Sequence, residues 1–150
     1  MTVFHEPVVS IRPATAGDYA AIVAVWRAAG LAFRAGGRDG EAGFRRQLAR
    51  FPGLYLVATD ADRIVGVVLG THDERKGWIN RLAVLPAYRR RGVGAALVAA
   101  CDAAIRRAGI EIVAALVEPE NASSAALFAH AGYSEDVPVR YFRKCTRPDA

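Results

Sequence analysis

Tyr88-Arg89-Arg90-Arg91-Gly92-Val93-Gly94-Ala95-Ala96-Leu97 holds the residue types best placed to do chemistry in this chain. Two glycines two apart, opening a segment that reads as a helix from Gly92 to Arg107, remove side chains where backbone N–H groups must approach a ligand closely. The first turn of a helix leaves its N–H groups unpaired and its dipole positive, so it attracts anions. Arg89, Arg90 and Arg91 add fixed charge and fork-shaped donors matched to phosphate oxygens. The chemistry they suit is the cradling of a pyrophosphate or a similar polyanion. The plain alternative is a helix with a charged entry and glycines that only ease the turn. A dinucleotide-binding turn would need a third glycine where Leu97 stands, and its first glycine directly after a strand. A phosphate loop of the nucleotide-hydrolase kind is excluded, because no Lys-Ser or Lys-Thr follows a glycine.

The elements that must position this stretch follow from periodicity. An apolar run from Val8 to Ile11, closed by Arg12-Pro13, reads as a first strand. Thr15 with Asp18 three residues later approximates a capping box ahead of a helix from Tyr19 to Ala29, with Ile22, Val25, Trp26 and Ala29 on one face. A Gly-rich loop, Arg34 to Gly40, leads to a second helix, Glu41 to Arg50. Leu54–Thr59 and Ile64–Gly70 form a hairpin with a longer loop, and a polar turn from Thr71 to Gly77 leads into Trp78–Leu85, completing an antiparallel meander. The glycine-entry helix packs across it through Val93, Leu97, Val98, Cys101 and Ile105. Ile110–Val117, reached by that crossover, must pair parallel to Trp78–Leu85. A short helix from Ser123 to Ala131 and two short strands around Asp136 and Pro138 complete the order β-α-α-β-β-β-α-β-α-β-β. The expected fold class is mixed α/β: a mostly antiparallel central sheet with helices on both faces.

At 150 residues the chain reads as a single domain spanning 1–150, and 53% hydrophobic with 23% charged residues places it among globular proteins. No apolar run approaches the roughly 20 residues of a membrane span. Met1 to Ser10, with His5 and Glu6, lacks a signal pattern, so the expected location is cytoplasmic. Cys101 and Cys145 cannot build a disulfide framework, and His5, His72 and His130 are scattered, so no metal site is expected. A net charge of +5 favours an anionic partner. Beyond the helix entry, the basic residues form only a looser cluster at Arg45, Arg46 and Arg50, without the interleaved aromatics of a nucleic-acid face. A polyphosphate ligand needs no more.

With these residues and this order, the chain resembles the GNAT superfamily of N-acetyltransferases. The family's signature is Gln or Arg, two residues, Gly, one residue, then Gly or Ala at the start of the third helix, and Arg89, Gly92 and Gly94 match it. The lead-in Leu82 to Tyr88 matches too, as does a later element in Asn121, Leu127, Phe128 and Gly132-Tyr133. Gly37-Arg38-Asp39 and Gly77-Trp78 are similar to a bacterial branch of this family. The resemblance implies acetyl-CoA as donor, transferring its acetyl group to a primary amine through a tetrahedral intermediate. It implies that backbone of Arg89, Arg90, Arg91, Gly92, Val93, Gly94 and Ala95 holds the pyrophosphate. The pantetheine arm would lie where the fourth and fifth strands splay, pairing with Leu82, Ala83 and Val84, while Asn121 meets its amide and Phe128, with Ala125 and Leu127, lines the thioester end. For Asn121 the competing reading is a plain helix cap.

The implied reaction needs a neutral amine, an N–H donor for the oxyanion, which the family takes from backbone near Val84, and an acid for the departing sulfur. Phe128 stands where relatives often carry a tyrosine, and Asn80 and Leu116 stand where they often carry a glutamate. Asn80, His72 and Glu118 are the candidate proton-handling groups, with Asp73 beside His72. Turnover by positioning alone is one outcome; an acetyl-CoA-binding sensor with little turnover is the other. The acceptor is expected between the Leu31–Gly40 loop, the Thr71–Gly77 turn and the Glu135–Arg140 connection. Arg34 and Arg38 there suit an acidic acceptor, whereas Asp39, Asp73, Glu74, Glu135 and Asp136 suit a cationic one. Family habit adds a homodimer through the last strands; neither nucleic acid nor membrane is an expected partner.

Overall fold

The structure is a computed structural model that describes residues 9–136, 138–148 and 150; His5 and Glu6 lie outside the described residues. Its elements are β1 Ser10–Pro13, α1 Tyr19–Ala28, α2 Glu41–Arg50, β2 Tyr55–Asp60, β3 Arg63–His72, β4 Lys76–Val84, α3 Val93–Arg107, β5 Ile112–Ala115 and α4 Ala122–His130. The five strands form one sheet in chain order. The first four are antiparallel, and β5 joins β4 in parallel, Lys76 opposite Ile112 through Ile79 opposite Ala115. Reached by the α3 crossover, β5 could pair with its neighbour only that way round.

Central β3 shows how the layers close. Every residue from Ile64 to Gly70 is buried, so both faces of the strand are covered. α3 covers one face through Val93, Leu97, Val98, Cys101 and Ile105, and a β-carbon added at Gly66 would lie 2.9 Å from Leu97 Cδ1. α1 covers the other with Ile22, Val25 and Trp26, and Phe44 of α2 meets Tyr55 edge to face at 5.0 Å. The turn before α1 is closed as its sequence suggests: Asp18 Oδ2 accepts the Thr15 N–H at 2.8 Å and a guanidinium N–H of Arg12 at 2.7 Å.

Three details differ from the sequence expectation. The β2–β3 hairpin is tighter, with Asp60 opposite Arg63 and a two-residue turn whose Ala61 takes a φ of 51°. β5 is confined to Ile112–Ala115, its pairing with β4 ending at Ala115 opposite Ile79. The two strands expected around Asp136 and Pro138 do not form among the described residues 133–136 and 138–144. Val139, Tyr141 and Phe142 are strand-prone, yet they are 74%, 73% and 81% exposed, and strand propensity without a ladder and a covered face does not make a strand. The described order is therefore β-α-α-β-β-β-α-β-α. Among the described residues no helix is long and apolar enough to cross a membrane, and no three His, Cys, Asp or Glu side chains converge as a metal-ion set.

Candidate functional site

The entry to α3 is built from two left-handed residues. Arg90 has φ 61° and Gly92, which caps the helix, has φ 78°. For arginine that conformation costs roughly 1–2 kcal/mol, whereas glycine adopts it freely. A β-carbon at Gly92 would meet nothing within 4 Å, so the space before the first turn is open. Ala96 N–H is the first to bond back, to Gly92 O at 3.0 Å, which leaves the N–H groups of Val93, Gly94 and Ala95 without a helical acceptor. Gly94 answers a different need: a β-carbon there would lie 2.8 Å from Leu127 Cδ1, so it lets α3 and α4 touch.

The three arginines ahead of this turn are all exposed. Arg89 spends its backbone N–H on Pro86 O and reaches Ala29 O through its guanidinium, so its side chain leans on the end of α1. Arg91 stacks over Tyr88 at 5.5 Å, and Tyr88 in turn donates a short hydrogen bond to Asp60. Among the described residues Arg90 has no hydrogen-bond or ion-pair partner. The helix entry thus combines three exposed arginines with three N–H groups that have no helical acceptor.

Beside it, one edge of β4 has no strand partner past Ile79 among the described residues. Its pairing with β5 stops at Ile79 opposite Ala115, although β4 runs on to Val84. On the other edge Leu85 N–H bonds Val65 O at 2.8 Å, with Gly66 opposite Val84 and Val67 opposite Ala83. In an antiparallel ladder successive residues send their N–H and C=O to opposite edges, so Val84 directs its own toward the gap and Ala83 toward β3. A bulge precedes them: Leu69 faces Asn80 while Val67 faces Ala83, so Arg81 and Leu82 stand opposite Val68 alone. The extra residue reverses the alternation. Gly77 and Ile79 face α3 before it and Val84 does after it, while Asn80 and Arg81 both fall on the α1 face.

α4 packs on α3. Asn121 caps it, its Oδ1 accepting the Ser124 N–H and the Ser123 hydroxyl, each at 3.2 Å. The cap reading of Asn121 is therefore realised, and its amide N–H groups have no acceptor among the described residues. Phe128 is buried against Tyr133, edge to face at 5.2 Å. Tyr133 donates its hydroxyl to Asp102 Oδ1 at 2.7 Å, and burial with that bond raises its pKa, so it is no ready proton donor.

The proton-handling and acceptor candidates are spread out. Asn80, on the α1 face, reaches Thr71 Oγ1 at 3.5 Å. His72 and Asp73 sit at the β3–β4 turn, seven strand residues or roughly 23 Å from Val84. There His72 Nδ1 accepts the Glu74 N–H, its ring packs on Phe51, and it lines a cleft of about 360 Å³ with the last turn of α3. Asp73 accepts the N–H groups of Arg75 and Lys76, which hold its carboxyl below the ordinary range. Glu118 is exposed in the connection to α4. Arg38 is exposed and donates to Ala150 O at 2.8 Å. Asp39 is turned inward: Oδ2 accepts the Arg34 N–H at 2.7 Å, its backbone carbonyl accepts the Tyr19 hydroxyl at 2.8 Å, and Oδ1 lies 3.6 Å from Arg81 Nε. The structure brings Asp39 to β4 and leaves Asp73 and His72 at the other end. Arg81 was no candidate on sequence, although two successive polar residues, Asn80-Arg81, interrupt an apolar strand there.

Against known proteins, the profile of the "Acetyltransferase (GNAT) family" matches residues 22–133. An acetyltransferase of Photorhabdus laumondii is 29% identical over 104 residues, 69% of this chain and 71% of its own. Among solved structures, the PaiA N-acetyltransferase of Thermoplasma acidophilum in complex with coenzyme A superposes with a TM-score of 0.76 at 17% identity, covering 87% of this chain and 93% of that one. AAC(6')-Iy in complex with a bisubstrate analogue, CoA-S-monomethyl-acetylneamine, gives a TM-score of 0.75 at 17% identity over 92% of this chain and 99% of its own. At these identities the two structures are likenesses of fold.

Proposed function

This chain belongs to the acetyltransferase (GNAT) family, and from that premise we propose that it moves the acetyl group of acetyl-CoA onto a primary amine. One observation carries the reading. The open helix entry at Gly92 adjoins the stretch of β4 whose outer edge, among the described residues, has no strand partner beyond Ile79. The N–H groups of Val93, Gly94 and Ala95 and the side chains of Arg89, Arg90 and Arg91 suit the diphosphate of coenzyme A. The free edge around Leu82 to Val84 suits an extended amide-bearing arm, which would pair there as a strand does, with the leftover amide of Asn121 across the gap.

Bound acetyl-CoA supplies an activated thioester carbonyl. The Val84 N–H, directed to the gap, is the donor placed to meet negative charge developing on that carbonyl oxygen. Asn80 lies on the acceptor side of the same strand, where it can orient the amine or a water that takes its proton. The Tyr88 and Tyr133 hydroxyls are engaged with Asp60 and Asp102, so neither is held ready as an acid, and water would supply the proton for a departing thiolate.

Those engaged hydroxyls, with Phe128 packed in the core, favour a second reading in which the protein binds acetyl-CoA with little turnover. Thiol release and product mass with tyramine, spermidine, neamine and an alanine-terminated peptide separate the two. Amine-dependent release with an added acetyl mass supports the enzyme; saturable binding without it supports the sensor. The reading includes a homodimer, supported by exposed Val139, Tyr141 and Phe142 near the end of the chain, and a light-scattering mass of twice 16.1 kDa is its check.

A further inference from the structure

We propose that Arg81 is a positioning residue that ties the loop between α1 and α2, residues 31–40, to the strand that would carry the acetyl donor; this rests on the acetyl-transfer reading above.

Arg81 is held in a left-handed conformation, φ 55°, at the one place where β4 carries an extra residue. Three contacts hold its guanidinium. Its Cζ lies over the Trp26 ring of α1 at 4.6 Å. Its Nη1 donates to Ala32 O at 2.7 Å. Its Nε lies 3.6 Å from Asp39 Oδ1. Asp39 is itself the knot of the loop, bonded to the Arg34 N–H and, through its carbonyl, to the Tyr19 hydroxyl. The Arg81 side chain is 20% exposed and that of Asp39 9%.

Among the described residues Nε and Nη2, the side-on edge of the guanidinium, have no hydrogen-bond partner, and Asp39 is the one carboxylate within 4 Å. A fork edge buried against a carboxylate just beyond hydrogen-bond range is a latch that a small movement of the loop would close. Val84, three residues along, carries the backbone N–H directed to the gap, so a change in the bulge moves that donor, and a change in the loop moves the acceptor's wall. Lysine cannot replace Arg81, because it has neither the plane to stack on Trp26 nor the fork to reach Ala32 and Asp39 together.

The test compares the full chain with Arg81→Gln, Arg81→Lys, Asp39→Asn and the Arg81→Gln/Asp39→Asn double variant. Hydrogen exchange, acetyl-CoA affinity, and kcat and KM for the best amine of the panel above are measured for each. We expect Asp39→Asn to raise the amine KM about tenfold, and Arg81→Gln to lower kcat as well, since misplacement of about 1 Å has such effects. Arg81→Lys should not rescue, acetyl-CoA affinity should stay within about twofold, and the double variant should be no worse than Arg81→Gln, as expected for one coupled unit. Additive losses, or losses with kcat and KM moving only as the folded fraction falls, would overturn the proposal. Exchange decides if no amine is acetylated. Faster exchange at 31–40 together with 82–84 in Arg81→Gln supports the tie, and faster exchange at either segment alone overturns it. Failure of the wild type to bind acetyl-CoA would instead sink the acetyl-transfer reading, with exchange still reporting on the tie.

Discussion

Gly94 of α3 faces Leu127 of α4 so closely that a β-carbon at position 94 would lie 2.8 Å from Leu127 Cδ1. A glycine that looks on sequence like a ligand-approach residue therefore has a packing duty as well. The atom it would strike is the end of a flexible side chain, and alanine gains about 1 kcal/mol of helix propensity over glycine. Gly94→Ala should thus change stability by less than about 1 kcal/mol in urea melts, keeping its backbone N–H and its acetyl-CoA affinity. Gly94→Val should cost about 1–3 kcal/mol by overpacking, and Leu127→Ala should recover part of that loss. A Gly94→Ala protein that folds normally but loses acetyl-CoA would move the duty of Gly94 from packing to the ligand.

Acid should weaken the fold through two paired carboxylates. The Arg12 hydrogen bond holds the Asp18 carboxyl below its ordinary 3.8. Burial alone would raise Asp102, but hydrogen bonds from Arg106 and Tyr133 outweigh it and leave that carboxyl lowered too. A folded pKa below the unfolded one means that the unfolded chain binds protons first as pH falls. Their stabilisation is complete above the ordinary carboxylate range, shrinks below about pH 4, and is gone once pH passes the lowered folded values. Urea midpoints at pH 7, 4 and 3 should fall more steeply for the wild type than for Asp18→Asn or Asp102→Asn, and parallel profiles would contradict this.

The two thiols should behave differently. Cys101 is fully buried on the face of α3 that packs on β3, where burial pushes its thiol up to about 12, while Cys145 is exposed. Reactivity follows the thiolate and its access. A disulfide reagent should titrate one thiol in the native protein and two in guanidinium. Two rapid native thiols would mean that α3 opens from the sheet.

What is legible in the sequence is mostly local. The α3 entry can be read because Gly92 and Pro86 carry their conformational meaning, and the arginines between them their charge, in their own type; the left-handed turn at Arg90 is not written there. The meander from Leu54 to Leu85 can be read because its apolar, strand-prone runs are separated by short polar turns. The tie between Arg81 and Asp39 cannot, since it joins distant stretches through a left-handed arginine that no propensity foretells. Only the polar pair Asn80-Arg81 inside an apolar run signals the bulge. Asp39, equally open on sequence to a cationic acceptor, turns out to be spent on its own loop and on Arg81 of β4. The segment around Val139 and Tyr141 has the composition of a strand, but pairing depends on a neighbour that local pattern does not supply.

Binding of acetyl-CoA at the α3 entry is the claim on which the account depends, and a thermal-shift titration tests it most directly. Wild type, Gly92→Glu and Arg89→Ala/Gly92→Glu are each compared with their own ligand-free midpoint, with NADH as the control polyanion. Saturation to about 100 times Kd should add roughly 2.7 kcal/mol of stability to the wild type. The account predicts that shift with acetyl-CoA, little with NADH, and none in either variant. No shift with acetyl-CoA, or an equal one with NADH, would contradict it and leave α3 a helix with a merely basic entry.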